Sequence, residues 1–420
     1  MTDINCNLEN NFIFFGCWNE SYCNPDKPTL SGSSQIINYL LKKNTNPLFY
    51  IIAGDNYYPK KDKERNYKEF SDVNFNSGFK CLELLQNKCS SLTNIYMLMG
   101  NHDLQYETGL IDRYSKKTLD KCHVLSQELK YKDKFHFNKH HIEFNNSLIL
   151  FTISTLYTDS LGKGSAAQSD CINQLKHTFS DLPWNYKTIE EIIDIEEEHL
   201  FKIITNYKKE GKHFKNIIIC GHDPIVTRRN KPKENSIKII IETINPRGIQ
   251  FLDKLYSVFN DSNKFYLCAD IHQFQKCIVQ INNHSIQQYV VGTGGTTCDE
   301  DCVPLDESII TNDEWKDIKL AGPDTLLKYF KIEYCERSHG YLVCQENKDG
   351  LFIPYFQKTG ECIDNWKVVK DQRKFEDEIM KSSSARTTQF SKRGGYLSNS
   401  NNKNKKTRKK YKKYKKYNKY

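Results

Sequence analysis

The chain has 420 residues, 38% hydrophobic and 12% aromatic, enough for a large core in one domain with insertions or in two domains. Its net charge of +9 belongs to one end: residues 381–420 hold 15 Lys and Arg and no acidic residue, which leaves 46 basic and 52 acidic residues elsewhere. No apolar run approaches the ~20 residues of a membrane helix, and Met1–Asn11 lacks the apolar stretch of a secretory leader, so a membrane-spanning or exported chain is not expected.

Asn11–Gly16 (NFIFFG) predicts a first core strand that ends at Cys17. Cys23–Ser34 is a Pro/Gly/Ser loop, and Ser34–Lys43 has helical spacing with Ile36, Ile37, Leu40 and Leu41 on one face. Phe49–Tyr58 (FYIIAGDNYY) predicts a buried strand that stops at a tight turn. Asp55 then sits at the strand's carboxyl end, where open α/β sheets bind ligands. Strand, helix and strand in this order imply parallel pairing. Lys60–Phe75 is charged and reads as a surface excursion. Asn76–Ser90 reads as a helix with Phe79, Leu82, Leu84 and Leu85 inward. Ile95–Asp103 (IYMLMGNHD) repeats the strand-then-turn pattern, ending in Asn101, His102 and Asp103.

Leu104–Lys134 reads as a helical or irregular insertion, and Phe135–Phe144 and Leu148–Thr155 as two strands, with His140 and His141 as ordinary edge histidines. Glu190–Lys209 has the length and charge of an exposed amphipathic helix. Ile217–Pro224 (IIICGHDP) gives a third strand end, at His222. Thr227–Lys233 is expected to be a basic, solvated loop, although Arg228 and Arg229 could meet a phosphate. Ile249–Asn260 looks helical. Phe265–His272 (FYLCADIH) gives the fourth strand end, with Asp270 and His272. Lys276–Ile281 and Ser285–Val291 alternate like antiparallel strands, and Tyr341–Cys344 with Leu351–Phe356 read as a late hairpin.

The 15 cysteines are odd in number and show no paired spacing, so free thiols in a reducing, cytoplasmic or nuclear setting are expected. Cys298-x3-Cys302 leaves a bridge or half a zinc site open. Asn401–Tyr420 interleaves 11 Lys and Arg with Tyr. Such a block repels itself and is expected to be disordered. It suits nucleic acid or another polyanion, since its cations release counterions from phosphates and its rings can stack on bases. Nuclear targeting and an acidic membrane surface stay open.

Four strand ends thus deliver Asp, Asn or His, the donors of hard and borderline divalent and trivalent metals. The series GDNYY, GNHD, GHDP and ADIH resembles the calcineurin-like metallophosphoesterases, over roughly Asn11–Phe356. Within them, Tyr58 in the first of these motifs, YVVGTGG and SHGYLV resemble the small, tartrate-resistant purple acid phosphatases. The resemblance implies a four-layer α/β/β/α sandwich over residues 1–375, followed by the tail at 381–420. It implies a binuclear centre of Fe, Zn or Mn in which Asp55 bridges, Tyr58 and His272 hold the first metal, and Asn101 and His222 hold the second. His102 would sit near the leaving group, with Asp103 orienting it, and the substrate would be a phosphate ester attacked in line by water.

Two positions depart from the family pattern. Gly16-Cys17 stands where Gly-Asp is expected, and Ala269-Asp270-Ile271-His272 where Gly-His-x-His is expected. Cys17 would complete the first position as a thiolate or be a small buried hydrophobe. Asp270 would complete the second position or be a turn residue in a salt bridge. The expected function is therefore a divergent metal-dependent phosphoesterase. The alternative is a catalytically impaired member of the fold that serves as a binding or scaffold module.

Overall fold

The structure, a computed structural model, describes residues 7–62, 67–89, 92–104, 110–120, 122–137, 139–158, 188–233, 236–299, 305–308 and 325–363. The chain divides into two units, Met1–Arg373 and Lys374–Tyr420. The second unit, with the basic tail, lies outside the described residues, as does Cys302.

In chain order, β1 (Asn7–Phe15), α1 (Gly32–Lys42), β2 (Thr45–Ala53), β3 (Lys60–Asp62) and β4 (Tyr67–Phe70) lead to α2 (Asp72–Gln86) and β5 (Asn94–Leu98). A short α3 (Asn101–Leu104), β6 (Leu110–Asp112), α4 (His123–Glu128), β7 (His141–Phe144) and β8 (Ser147–Phe151) follow. Then come α5 (Ile189–Lys209), β9 (Asn216–Cys220), β10 (Val226–Lys233), β11 (Ser236–Thr243), α6 (Pro246–Val258) and β12 (Asn263–Cys268). The described part closes with β13 (Phe274–Ile281), β14 (His284–Val291), β15 (Leu305–Ser308), β16 (Leu327–Glu336), β17 (Ser338–Glu346) and β18 (Phe352–Glu361).

Two sheets carry the fold. The first has the order β18-β17-β1-β2-β5, and the second β15-β16-β13-β14-β12-β9-β8-β7. β1, β2 and β5 run parallel, as do β8, β9, β12 and β14. Parallel strands covered on both faces must be apolar throughout, and β8 and β9 are buried at every position. Phenylalanines seal the sheets together: Phe12 meets Phe144 at 5.2 Å between ring centres, and Phe274 stacks on Phe356 at 4.2 Å. The helices sit outside as an α/β sandwich requires, α1 against α2 and against β17 and β18, and α5 against α6.

Several expectations are corrected. The surface excursion expected over 60–75 does not extend through Phe70–Phe75, a segment that packs into the fold. β3, β4 and β6 form a small sheet there, Phe70 and Phe75 are buried, and α2 begins at Asp72 under a Ser71 cap. Leu84 is 41% exposed, because the inward stripe of α2 runs through Phe79, Leu82 and Leu85. The segment before His141 meets the sheets through a bridge between Tyr96 and His136 and a bond from Phe151 N to His140 O, and the strand starts at His141. Thr227–Lys233 is the strand β10, paired along its length with the isoleucine-rich β11. Helix α5 buries Ile192, Ile193, Glu196, Leu200 and Ile204.

The expectation of free thiols holds only in part: Cys17, Cys220, Cys268, Cys277 and Cys344 are free and buried. Cys23 is bonded to Cys81 and Cys298 to Cys362, while Cys89, Cys122 and Cys335 are also disulfide-bonded. Pairs 58 and 64 residues apart are invisible to a search for local spacing. Bridges of this kind persist in oxidising surroundings. Among the described residues no helix is long and apolar enough to cross a membrane.

Candidate metal centre

The parallel strands of each sheet end on the same side, and the two sets of ends face each other. The His222 ring, after β9, reaches across to the carbonyl of Ala53 at the end of β2, with Nδ1 and O 2.6 Å apart. Gly16 donates its amide to Val291 O, and Gly294 donates to Gly16 O. This close approach explains the glycines. A Cβ on Gly54, whose φ is +80°, would lie 2.6 Å from the Gly100 nitrogen, and one on Gly100 would collide with the Asp55 carboxylate. Cys17, Asp55 and Asp270 each turn the chain with a left-handed backbone, at φ of 54°, 52° and 53°.

Two groups of donors result. Ligand atoms of Cys17, Asp55 and His272 lie within 4.8 Å of one another, and so do those of Asp55, His222 and Asp270. Asp55 is common to both. A carbonyl can only accept, so the contact with Ala53 O fixes the proton on His222 Nδ1 and leaves Nε2 as its free nitrogen. That Nε2 is 3.3 Å from Asp55 Oδ1 and 3.7 Å from Asp270 Oδ1, and it has no hydrogen-bond partner. The same reasoning applies to His272: Nδ1 donates to Thr297 O at 2.8 Å and Nε2 lies 3.1 Å from the Tyr58 hydroxyl. Tyr58 donates to Asp55 Oδ2 at 2.6 Å. Asn101 Oδ1 is buried without a partner. Imidazole lone pairs and carboxylates gathered in two groups, with an orphaned amide oxygen on Asn101, are a donor set that fits cations.

The electrostatics agree. Burial alone would raise the Asp55 carboxyl, but His222 and His102 beside it, with the Tyr58 bond, hold it well below the carboxylate range. Burial opposes a charge on His222, yet Asp55 and Asp270 push its pKa well above the ordinary value. A metal at this position would therefore compete with a proton for Nε2. Cys17 is fully buried, and burial with the Asp55 charge raises its thiol well above the usual value.

The remaining sequence candidates are placed differently. His102 donates its backbone N–H to Asp55 Oδ1 at 2.9 Å, and its ring lies 4.6 Å from the Tyr58 ring. Asp103 bonds elsewhere than to the His102 ring. Its carboxylate accepts from Asn56 N at 2.8 Å, Asn56 Nδ2 at 3.0 Å and Gly100 N at 2.8 Å, so it ties the GDNYY turn to the GNHD turn. His102 Nδ1 is left buried and unpaired. His141 stays on the edge strand β7, as expected.

The wall beside the centre was only partly foreseen in the sequence, where Arg229 could meet a phosphate but was expected on a solvated loop. A cleft of about 320 Å³ opens between Asn101, Asp223, Arg229, Glu242 and Asp270. Arg229 is largely buried on β10 and is paired with Glu242 and with Asp299 Oδ2, the latter at 3.4 Å. Asp223 accepts from Thr155 Oγ1 at 2.6 Å, and burial raises its pKa to about 7. Its place next to His222 was the available signal. For Arg229 the basic pair was visible, but its place on a strand lay only in the pairing with β11.

The family model for calcineurin-like phosphoesterases matches residues 11–274. No curated protein matches the chain. Among solved structures, the chain is similar to the purple acid phosphatase PPD1 from yellow lupin (Lupinus luteus) seeds, at 13% identity and a TM-score of 0.43, covering 84% of this chain and 52% of that one. It is also similar to GAP50, the anchor in the inner membrane complex of Plasmodium, at 12% identity and a TM-score of 0.38, covering 84% and 86%. The chain spans about half the length of the lupin protein. The family match covers well over half of the chain and contains all four strand-end motifs, and the chain therefore belongs to the calcineurin-like phosphoesterases.

Proposed function

We propose that the protein hydrolyses a phosphate ester at a two-metal centre of modified composition. The observation that carries this reading is the single carboxylate, Asp55, shared by two donor groups beside an open cleft. Cys17, Asp55, Tyr58 and His272 would hold the first ion, and Asp55, Asn101, His222 and Asp270 the second. Such a pair of ions, of Fe, Zn or Mn, would polarise the phosphoryl group and lower the pKa of a bound water.

The chain's own residues do the rest. Asp103 locks the turns that carry Asp55 and Asn101, which fixes the spacing between the two positions. His102, pinned through its backbone to Asp55 with its ring against Tyr58, would be the proton donor for the leaving oxygen. Arg229, held by Glu242 and Asp299, supplies a fixed positive charge on the wall that a phosphate would approach.

The second reading, a scaffold with an impaired centre, is favoured by Cys17. A thiol kept protonated by burial and Asp55 is a poor donor where the family has a carboxylate. The test is metal content of the purified full chain together with hydrolysis of an aryl phosphate. Two equivalents of metal, with turnover that disappears in Asp55→Asn and His102→Ala, are expected. Bound metal without turnover over several metals and pH values would transfer the assignment to the scaffold.

A further inference from the structure

Cys298 lies between the two residues that hold the metal-ligand candidate His272. Thr297 O accepts from the His272 ring at Nδ1, 2.8 Å away. The Asp299 carboxylate accepts from His272 N at 2.9 Å, and Asp299 N donates back to His272 O at 3.0 Å. Residues 297 and 299 thus hold one histidine at its ring, its amide and its carbonyl. Cys298, between them, is bridged to Cys362.

The other end of that bridge is anchored in the first sheet. Cys362 directly follows β18, which pairs with β17 through Ser338 and Glu361. His339 of β17 is 1% exposed, and its Nε2 accepts the Ile363 amide at 3.2 Å. The sulfurs of Cys298 and Cys362 and a ring nitrogen of His339 fall within 4.8 Å of one another. His272, by contrast, leads into β13 of the second sheet. The disulfide therefore runs from the edge of one sheet to the segment that orients a ligand on the other. Both cysteines are half-buried, within reach of a small reductant, whereas Cys23 and Cys81 are buried.

We propose that the Cys298–Cys362 disulfide is a positioning clamp on His272, and that its reduction selectively weakens the metal position containing Cys17, Asp55, Tyr58 and His272. The inference rests on the two-metal reading for its consequence, but the clamp itself is a property of the metal-free chain. In the redox step a dithiol attacks the bridge through a mixed disulfide. Two electrons and two protons pass to the Cys298 and Cys362 sulfurs, and the reductant leaves as its own disulfide. The 297–299 segment keeps other holds: Glu20 accepts from Thr297 N at 2.7 Å, and Arg337 Nε donates to Asp299 O at 2.9 Å. The segment should therefore loosen without unfolding. Losing the support behind a ligand costs about 10–100-fold in metal affinity.

Two measurements test this on the full chain. Hydrogen exchange of the metal-free protein should be faster at the His272 and Asp299 amides in a Cys298→Ser, Cys362→Ser double variant, and unchanged at Asn56, which Asp103 holds. Zinc titration should show one position weakened about 10–100-fold and the other retained. Mild dithiol treatment of the wild-type chain, with opening of the 298–362 bridge alone verified by alkylation and mass spectrometry, should reproduce both effects, and reoxidation should reverse them. This arm covers a double variant that fails to fold. Unchanged exchange at His272 and Asp299, or equal weakening of both zinc positions, would overturn the proposal. A wild-type chain that binds no zinc would remove the two-metal reading, while the exchange result would still decide the clamp.

Discussion

Glu196 gives the sharpest handle on how the scaffold reaches the centre. It lies on the inward face of α5, 5% exposed. One carboxylate oxygen accepts from Ile153 N at 2.5 Å and the other from the Tyr157 hydroxyl at 3.3 Å. The next residue, Ser154, accepts through Oγ from His222 N at 2.7 Å and from Asp223 N at 2.8 Å. Glu196 thus holds the turn that holds His222. Burial raises its pKa from 4.5 to about 7. The folded state therefore binds this proton more tightly than the unfolded state. The stabilising effect is fully present below pH 4.5 and is lost as pH rises through about 7. A shift of that size, at 1.36 kcal/mol per pKa unit, is worth about 3 kcal/mol. Glu196→Gln keeps an oxygen for Ile153 N and removes the titration. The stability difference, variant minus wild type, should rise by about 3 kcal/mol between pH 4.5 and 8 in denaturant unfolding of the metal-free chain. Taking the difference cancels the other titrating groups. Parallel pH profiles for the two proteins would refute the argument.

Three further outcomes are expected. Asp103→Ala leaves Asn56 N and Gly100 N without their acceptor, each worth about 1–3 kcal/mol, so the metal-free chain should melt well below wild type and bind its second metal more weakly; an unchanged melting temperature would mean the two turns hold without it. Cys17→Asp places a third buried carboxylate beside Asp55 and Asp270, so it should lower the metal-free melting temperature and enlarge the shift produced by saturating zinc or manganese; an identical shift would show that residue 17 takes no part in the centre. The basic tail should bind a random single-stranded oligonucleotide with an affinity that falls steeply with salt, and deletion of residues 381–420 should abolish it; equal binding by the truncated chain would place the polyanion site elsewhere.

What was legible in the sequence was whatever is written locally. Ile217–Ile219 and Phe49–Ala53 read as buried strands because parallel strands covered on both faces are apolar without interruption, and the first polar residue after each run marked the sheet's carboxyl edge. What escaped was written in pairing. Arg229 sits among lysines and a proline, and only the registration of β10 on β11 turns that run into a strand with its guanidinium between Glu242 and Asp299. The resemblance implies that Asp103 orients His102, whereas its carboxylate bonds to a turn 47 residues away. The disulfides span intervals that no spacing rule reaches.

Cys17 is where this difference matters most. Read as a sequence, it is the residue that breaks the family pattern, and burial as a small hydrophobe explains it adequately. The backbone removes that option's simplicity. Cys17 is held at a φ of 54°, like Asp55 and Asp270. Asp tolerates the left-handed region comparatively well and Cys does not. A small hydrophobe could fill this space from a relaxed backbone, so packing alone does not account for the strain. Left-handed residues persist where their surroundings impose the turn. Here those surroundings are Gly54 O, which accepts the Cys17 amide at 3.1 Å, and Thr296 N, which donates to Cys17 O at 3.2 Å. The fold keeps the turn that aims side chain 17 at Asp55 and His272, whichever residue occupies it. The substitution therefore changes the chemistry of the donor and leaves its position intact, which is why replacing Cys17 tests the centre more directly than any change to the scaffold.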